Sequence, residues 1–380
     1  MNKLESFLSY GCQSISEEDI QAVIETLRSP FLTQGPKIKQ FEQTIADYVG
    51  AQYAVAFCNG TAALHAACYA AGIDEGDEVI TSPITFAASA NCIRYMGGKV
   101  VFADIDEETY NINPTEIKKN ITSRTKAIIP VDFTGQPADM DAIMDIACKH
   151  NLVVIEDGAH SLGAEYKGKK VGTQADMTMF SFHPVKPITT AEGGIIVTND
   201  EEYYRKLQLF RSHGIEHTEY SSNQGGWYYE MMDLGYNYRM TDLQAALGLS
   251  QLKKLDTFIQ QRRDIAAFYT EAFQDVKGII VPQQLEGTNS GWHLYMLQLN
   301  GISRKFVFEQ MRSLNIGVHV HYIPVYWHPY YQQLGYERGL CPIAEEWYEK
   351  ALTLPIHPNM TAEALSIIVT NIKALLKLVK

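Results

Sequence analysis

Through the first two-thirds of the chain, short apolar runs rich in β-branched residues alternate with segments of helix length. Tyr53-Ala54-Val55-Ala56-Phe57 predicts a strand, and the alanine-rich stretch 61–71 behind it predicts a helix. Strand-like runs recur at 78–81, 100–102, 127–131 and 152–155, with helical patterns over 86–95 and 140–150 between them. Runs that do not alternate polar with apolar residues need burial on both faces. Separated by helices, they predict an α/β fold with a mostly parallel central sheet sandwiched by helices. Ligands of such sheets bind beyond the carboxyl ends of the strands, so polar motifs at those ends are the candidates for chemistry.

From Asp242 to about Phe273 the periodicity predicts one long helix with a charged middle (Lys253, Lys254, Asp256, Gln260, Arg262, Arg263). A smaller C-terminal α/β unit follows, with strand-like 293–299, a helix over 304–314, strand-like 318–322 and a last helix from Thr361. The expected division is a large ligand-binding domain over 1–250, including the N-terminal segment, and a small domain over 251–380. There is no internal repeat and no flexible linker.

Composition narrows the function classes. The 380 residues carry 32 Lys+Arg against 44 Asp+Glu, a net charge of −12, whereas broad nucleic-acid or anionic-membrane binding needs a basic footprint. No run approaches the roughly 18 apolar residues of a membrane span. No apolar segment follows Met1-Asn2-Lys3-Leu4-Glu5-Ser6, so no secretory leader is expected. Six cysteines without a Cys-x-x-Cys pair read as free thiols in a reducing compartment, and the protein is expected to be cytoplasmic.

Several familiar motifs fail. No Gly-x-Gly-x-x-Gly follows a strand. Gly163-Ala164-Glu165-Tyr166-Lys167-Gly168-Lys169-Lys170 nearly spells a phosphate-binding loop, but Lys170 stands where a Mg²⁺-binding hydroxyl is required; a charged hairpin turn is the reading. His319-x-His321 puts two imidazoles on one strand face without an assignable third ligand, so no metal site is expected.

A sharper constellation begins at Ile155-Glu156-Asp157-Gly158-Ala159-His160, a carboxylate at the end of a buried strand. It continues at Phe180-Ser181-Phe182-His183-Pro184-Val185-Lys186-Pro187-Ile188-Thr189-Thr190, ahead of Glu192-Gly193-Gly194. Burial of Lys186 would favour the neutral amine that forms a Schiff base. A buried Asp157 would keep a pyridinium nitrogen protonated, which pyridoxal 5′-phosphate needs to act as an electron sink. Asn59-Gly60-Thr61-Ala62-Ala63-Leu64 follows a strand and opens a helix, an anion site for the cofactor phosphate. Ser181 adds a hydroxyl there, and Phe86, after Pro83-Ile84-Thr85, can stack on the pyridine ring. Each residue alone has an ordinary reading as cap, core or loop. Their joint placement past strand ends carries the functional one.

These residues, with Leu32-Thr33-Gln34-Gly35-Pro36, Phe41-Glu42, Thr81-Ser82-Pro83-Ile84-Thr85-Phe86 and Gly235-Tyr236-Asn237-Tyr238-Arg239-Met240, resemble the fold-type I pyridoxal-phosphate enzymes of the DegT/StrS-type sugar aminotransferases over nearly the whole chain. The resemblance implies that Lys186 carries the cofactor and that Asp157 partners its pyridinium. His160 takes the position near the cofactor's 3′-oxygen where many members have Gln. Gly60, Thr61, Ala62 and Ser181 become phosphate ligands. Asn237 reaches the phosphate from the neighbouring subunit, implying a homodimer. The lysine loop, Phe210-Arg211-Ser212-His213-Gly214, the segment 246–254 and Val320-His321-Tyr322-x-Pro324 look most like the pseudaminic acid branch. That branch aminates C4 of a UDP-linked 4-keto-6-deoxy-N-acetylhexosamine with L-glutamate as donor; Arg239, His321, Tyr322 and His328 are then the candidate sugar contacts. Two alternatives stay open: the same chemistry on a perosamine, bacillosamine-type or 4-amino-arabinose precursor, and a non-catalytic regulator on this fold, against which the presence of Lys186 weighs.

Overall fold

The computed structural model describes residues 1–378. Its centre is a seven-stranded sheet of β1 (Tyr53–Phe57), β2 (Glu78–Thr81), β3 (Lys99–Phe102), β4 (Thr125–Ile129), β5 (Val153–Asp157), β6 (Met177–Ser181) and β7 (Gly194–Thr198), in the order β1-β7-β6-β5-β4-β2-β3. The pairs β2–β3, β2–β4, β4–β5 and β5–β6 are parallel. β7 is antiparallel to both of its neighbours, β6 and β1, and is the one reversed strand. An antiparallel neighbour needs no crossover helix, so the chain passes from β6 to β7 through an irregular loop, and that loop carries Lys186.

The alternation of strand side chains divides the core. Val55 and Phe57 join one cluster with Ile129, Ile155 and Met179. Ala54 and Ala56 join another with Phe180, Phe182 and Ile195 on the opposite face. Helices α1 (Glu17–Leu27), α2 (Pro36–Val49), α3 (Gly60–Ala70) and α4 (Ala88–Tyr95) come from the first quarter of the chain. Ala62 through Cys68 of α3 are all buried, which is how a helix enclosed on every side reads. α2 starts on a borrowed cap: the wholly buried Asp242 accepts hydrogen bonds from the Gly35 N–H (2.7 Å) and the Lys37 N–H (2.9 Å).

The long helix expected over 242–273 is two helices, α5 (Asp242–Leu252) and α6 (Leu255–Phe273). The reason is tertiary. Asp19 of α1 is fully buried, and at the break Lys254 Nζ reaches its carboxylate (2.5 Å) while Gln251 Nε2 donates to the same oxygen (2.7 Å). Past the break, α6 spans two cores, with Phe258 and Ile259 in the sheet cluster and Ile265, Tyr269 and Phe273 in a C-terminal one.

That second core lies under a three-stranded antiparallel sheet, β8 (Ile279–Ile280), β9 (Tyr295–Leu299) and β10 (Ala351–Leu354), and the last helix, α7 (Ala362–Lys377). The first residues of the chain pack here too: Leu8 N–H donates to the Asn315 carbonyl (2.9 Å), and Gly317 N–H donates to the Leu8 carbonyl (2.7 Å). The strand expected over 318–322 is a single bridge, His319 to Thr353. Beyond it the chain turns off the sheet toward Pro324, which has no N–H to extend a ladder, and brings His321 and Tyr322 to a cavity. The charged segment 163–170 is a hairpin of Glu165–Tyr166 and Lys169–Lys170 turning at Lys167-Gly168, both in the left-handed region. Among the described residues no helix is long and apolar enough to cross a membrane.

Candidate active site

The carboxyl ends of the parallel strands open into a cavity of about 780 Å³. At its floor Asn59 caps α3, its Oδ1 accepting from the Ala62 N–H at 2.8 Å. The first-turn N–H groups of Gly60 and Thr61 have no intrahelical partner and meet the cavity at the positive end of the helix dipole. Ser181, at the end of β6, stands beside them: a Cβ on Gly60 would lie 3.4 Å from its Oγ. A Cβ on Gly194 would lie 2.6 Å from the Asn59 carbonyl oxygen, so only glycine lets β7 pass this close under the cradle.

Asp157 is 4 % exposed. Ser89 Oγ donates to its Oδ2 (2.6 Å), and the Ala159 N–H donates to Oδ1 (3.1 Å). Burial raises its pKa, opposed by these two donors and by the charge of Lys186. Lys186 closes a turn in which its N–H donates to the His183 carbonyl (2.9 Å), with Pro184 and Pro187 as flanks. Burial lowers its pKa to about 8, resisted by Asp157 and reinforced by Arg262. At pH 7 about a tenth of such an amine is neutral, against fewer than about one in a thousand for an ordinary lysine.

Imidazoles form another wall. His160 and His293 have ring centroids 4.4 Å apart, each is nearly inaccessible to solvent, and Nδ1 of each has no hydrogen-bond partner. His321 Nδ1 lies 2.9 Å from Thr353 Oγ1. Burial lowers the pKa of all three, which makes them neutral hydrogen-bonding groups. Buried polar atoms without partners are rare in folded proteins, and here two of them border a cavity.

Of the residues singled out from the sequence, Gly60, Thr61, Ala62, Phe86, Asp157, His160, Ser181, Lys186, His321 and Tyr322 line this one cavity. Phe86, 62 % exposed, lies at its rim. Three do not line it. Asn237 bridges Ser212 and Arg239 bridges Phe57, while Tyr238 between them turns the other way, its hydroxyl 3.2 Å from His65 Nδ1 in the cavity wall. Asn237 is exposed, and Arg239 lines a separate pocket with Gln34, Glu42 and Arg211. His328 sits at the start of the short helix Pro329–Gln333, whose Tyr331 and Gln332 N–H groups its carbonyl accepts. Sequence reasoning missed Tyr10, His65, Ser89 and His293. Ser89 and His65 had a signal, each one helical turn beyond a singled-out residue (Phe86 and Thr61); Tyr10 and His293 arrive from distant segments.

On the other face of β5, Glu156 and Asp132 are fully buried without a cation. Asp132 Oδ2 accepts from Ser161 Oγ (2.5 Å), its Oδ1 from the Ala138 N–H (2.9 Å), and Glu156 Oε2 from Thr178 Oγ1 (2.8 Å). Burial raises both pKa values, and two adjacent carboxylates cannot both ionise cheaply. Glu156 Oε1, which accepts no bond, is the place for a shared proton. Asp132 thereby grips Ser161 and the 157–161 turn that presents Asp157 and His160.

Chain-wide, the sequence matches the DegT/DnrJ/EryC1/StrS aminotransferase family over residues 13–373. It is 44 % identical to the spore coat polysaccharide biosynthesis protein SpsC of Bacillus subtilis, covering 99 % of each chain. It is 38 % identical to a UDP-4-amino-4,6-dideoxy-N-acetyl-β-L-altrosamine transaminase of Campylobacter jejuni, covering 98 % of each. Helicobacter pylori PseC, an aminotransferase of pseudaminic acid biosynthesis, superposes with a TM-score of 0.92 at 35 % identity, over 98 % of this chain and 100 % of that one. Solved neighbours include a form holding pyridoxal phosphate.

A carboxyl whose pKa rises on folding lends stability fully below the ordinary carboxylate range and loses it as pH climbs toward the raised value. Glu156→Gln keeps a donor toward Asp132 and removes one titration. The fall in melting temperature from about pH 4 to about 7 is therefore expected to be shallower than in the wild type. Equal slopes would rule out the shared proton.

Proposed function

The chain belongs to the DegT/DnrJ/EryC1/StrS aminotransferase family and is a pyridoxal-phosphate-dependent aminotransferase. From that premise we propose that it transfers an amino group from L-glutamate to C4 of a UDP-linked 4-keto-6-deoxy-N-acetylhexosamine. The product is UDP-4-amino-4,6-dideoxy-N-acetyl-β-L-altrosamine, in pseudaminic acid biosynthesis. The observation that carries the chemistry is the meeting of Lys186, Asp157 and the α3 cradle in one cavity. The sugar assignment draws on relatives of that name at 36–38 % identity.

The residues present fit the cofactor: an anion cradle, a buried carboxylate, a depressed lysine and an unpartnered His160 nitrogen share one cavity. When bound, pyridoxal phosphate supplies an electron sink for the carbon that loses its proton. The free N–H groups of Gly60 and Thr61 with Ser181 Oγ would hold the phosphate, while Ala62, whose N–H is taken by the Asn59 cap, lines the same cradle. Asp157, kept in place by Ser89 and Ala159, holds a proton on the ring nitrogen. Phe86 covers the ring from the rim, and His160 donates toward the 3′-oxygen. Lys186 in its neutral form takes the proton from the donor's α-carbon and later delivers one to C4 of the sugar. His321 and Tyr322 contact the sugar; Arg239 and His328 join them only in the assembled enzyme. Six free cysteines fit a reducing cytoplasm.

The active unit is a homodimer in which Asn237 serves the partner's cofactor. Two features support this. Tyr238 faces its own cavity, so Asn237 faces away. The arm leading to it exposes Trp227 (80 %), Met231 (67 %) and Leu234 (71 %), an apolar surface suited to a second copy. If so, Lys186→Ala and Asn237→Ala, each nearly inactive, regain about a quarter of wild-type activity when mixed and reassembled, because half of the dimers hold one intact site. No regain would place Asn237 in its own subunit's site.

A second reading is favoured by the 44 % identity to SpsC: the same chemistry on another nucleotide sugar bound for a polysaccharide. Parallel incubation with UDP-4-keto-6-deoxy-L-AltNAc and its D-GlcNAc counterpart separates the two. The expected result is preferential amination of the L-sugar; preference for the D-sugar would replace the pseudaminic assignment with the second reading.

A further inference from the structure

Lys186 borders two spaces. One is the catalytic cavity. The other is a small cavity of about 10 Å³ lined also by Pro184, Pro187, Phe258 and Arg262, and Lys186 is the one residue that lines both. Arg262, from α6, is 1 % exposed. Its Nη1 donates to the carbonyls of Ile356 (2.8 Å), His293 (3.3 Å) and Trp292 (3.5 Å), and its Nε has no partner. No carboxylate forms an ion pair with it among the described residues. Burial lowers its pKa only to about 10, so the guanidinium keeps its charge near neutrality. A buried charge solvated by carbonyl dipoles alone is costly and rarely stands without a reason. With neither counter-ion nor bulk water around it, its field is weakly screened.

We propose that Arg262 is a positioning residue for Lys186: its uncompensated charge, applied from behind the lysine, disfavours the ammonium form, while its carbonyl bonds fix the backbone at 292–293 and 356, of which His293 lines the site. The other groups facing the amine are Asp157 from β5, which acts in the opposite sense, and His160, His293, His321 and His183, whose pKa values burial lowers. Arg262 is thus the fixed positive charge that offsets Asp157. Burial is the larger influence against the ammonium form, and Arg262 adds to it against the pull of Asp157. The consequence for catalysis rests on Lys186 being the reacting amine; the effect on the amine itself does not.

The test reads the amine directly. Full-length wild type, Arg262→Met and Arg263→Met are freed of cofactor and treated with limiting acetic anhydride across a pH series, and acetylation of the Lys186 peptide is followed by mass spectrometry. Arg263 is the control. It bonds the carbonyls of Ser290 (3.1 Å) and Asn289 (3.3 Å) on the same stretch, lines neither of the spaces around Lys186, and lies near the carboxylates of Glu165 and Asp256. Wild-type Lys186 is expected to titrate near 8. In Arg262→Met the midpoint moves up and labelling at pH 7.5 falls about 3- to 10-fold, since each pKa unit is a factor of about ten in neutral amine. Arg263→Met leaves it unchanged. An unmoved midpoint in Arg262→Met, or an equal shift in both variants, overturns the proposal. Should Arg262→Met not fold, Arg262→Lys keeps the charge and must titrate Lys186 as the wild type does; an upward shift there overturns it as well. An enzyme that passes this test yet aminates neither sugar refutes the proposed function and leaves the role of Arg262 standing.

Discussion

A lysine amine and a buried aspartate carboxylate are held in one cavity, and most of the surrounding structure answers the electrostatic difficulty this creates. Left to themselves, Asp157 and Lys186 would form a plain ion pair, with the lysine protonated and unreactive. Burial pushes both toward neutrality, and the neighbouring groups decide where each settles. Ser89 and the Ala159 N–H draw Asp157 back toward its charged form, while Arg262 works with burial against the ammonium of Lys186. The outcome is a carboxyl drawn back toward its charged form beside an amine that is partly neutral near physiological pH.

The backbone solves the matching geometrical problem. Parallel strands deliver Asp157, Thr85 and Ser181 to one edge of the sheet, but a crossover helix after β6 would carry the next loop to the far end. Reversing β7 keeps the Lys186 loop at the edge where Asp157 ends β5. The same reversal brings β7 under the start of α3, where Gly194 permits a backbone approach that any side chain would block. The start of α3 and the lysine loop therefore meet at one edge of the sheet. Behind β5, Asp132 holds the turn that follows Asp157 through Ser161, so the carboxylate is fixed from both faces of the sheet.

The parts legible in the sequence are those set by local rules. Non-alternating β-branched runs announced the parallel strands, and Asn59-Gly60 announced a capped helix. A carboxylate at a strand end followed by a proline-flanked lysine announced the chemistry. What escaped depends on partners distant in sequence. The break at Lys253-Lys254 exists because Asp19, more than 230 residues earlier in the chain, is buried and needs a cation. The stretch 318–322 reads as a strand but leaves the sheet after one bridge. Tyr10 and His293 reach the cavity from the N-terminal segment and from the entry to β9, and neither has a local pattern to mark it. Arg262 was visible only as a charge in the middle of a helix, where the ordinary expectation is a solvated face; the structure buries it completely. Asn237 and Arg239 lie outside the cavity of their own chain, where a reading based on sharing one site with Lys186 would not place them.

The central claim is that Lys186 is the amine that holds the cofactor, and it is open to direct chemical test. Treating the cofactor-loaded enzyme with sodium borohydride converts a carbon–nitrogen double bond between cofactor and protein into a stable secondary amine, after which proteolysis and mass spectrometry locate it. The account predicts that the reduced cofactor is found on the peptide spanning Phe182 to Thr190, attached to Lys186. Label on another lysine, or a loaded enzyme that takes no label at all, would contradict it.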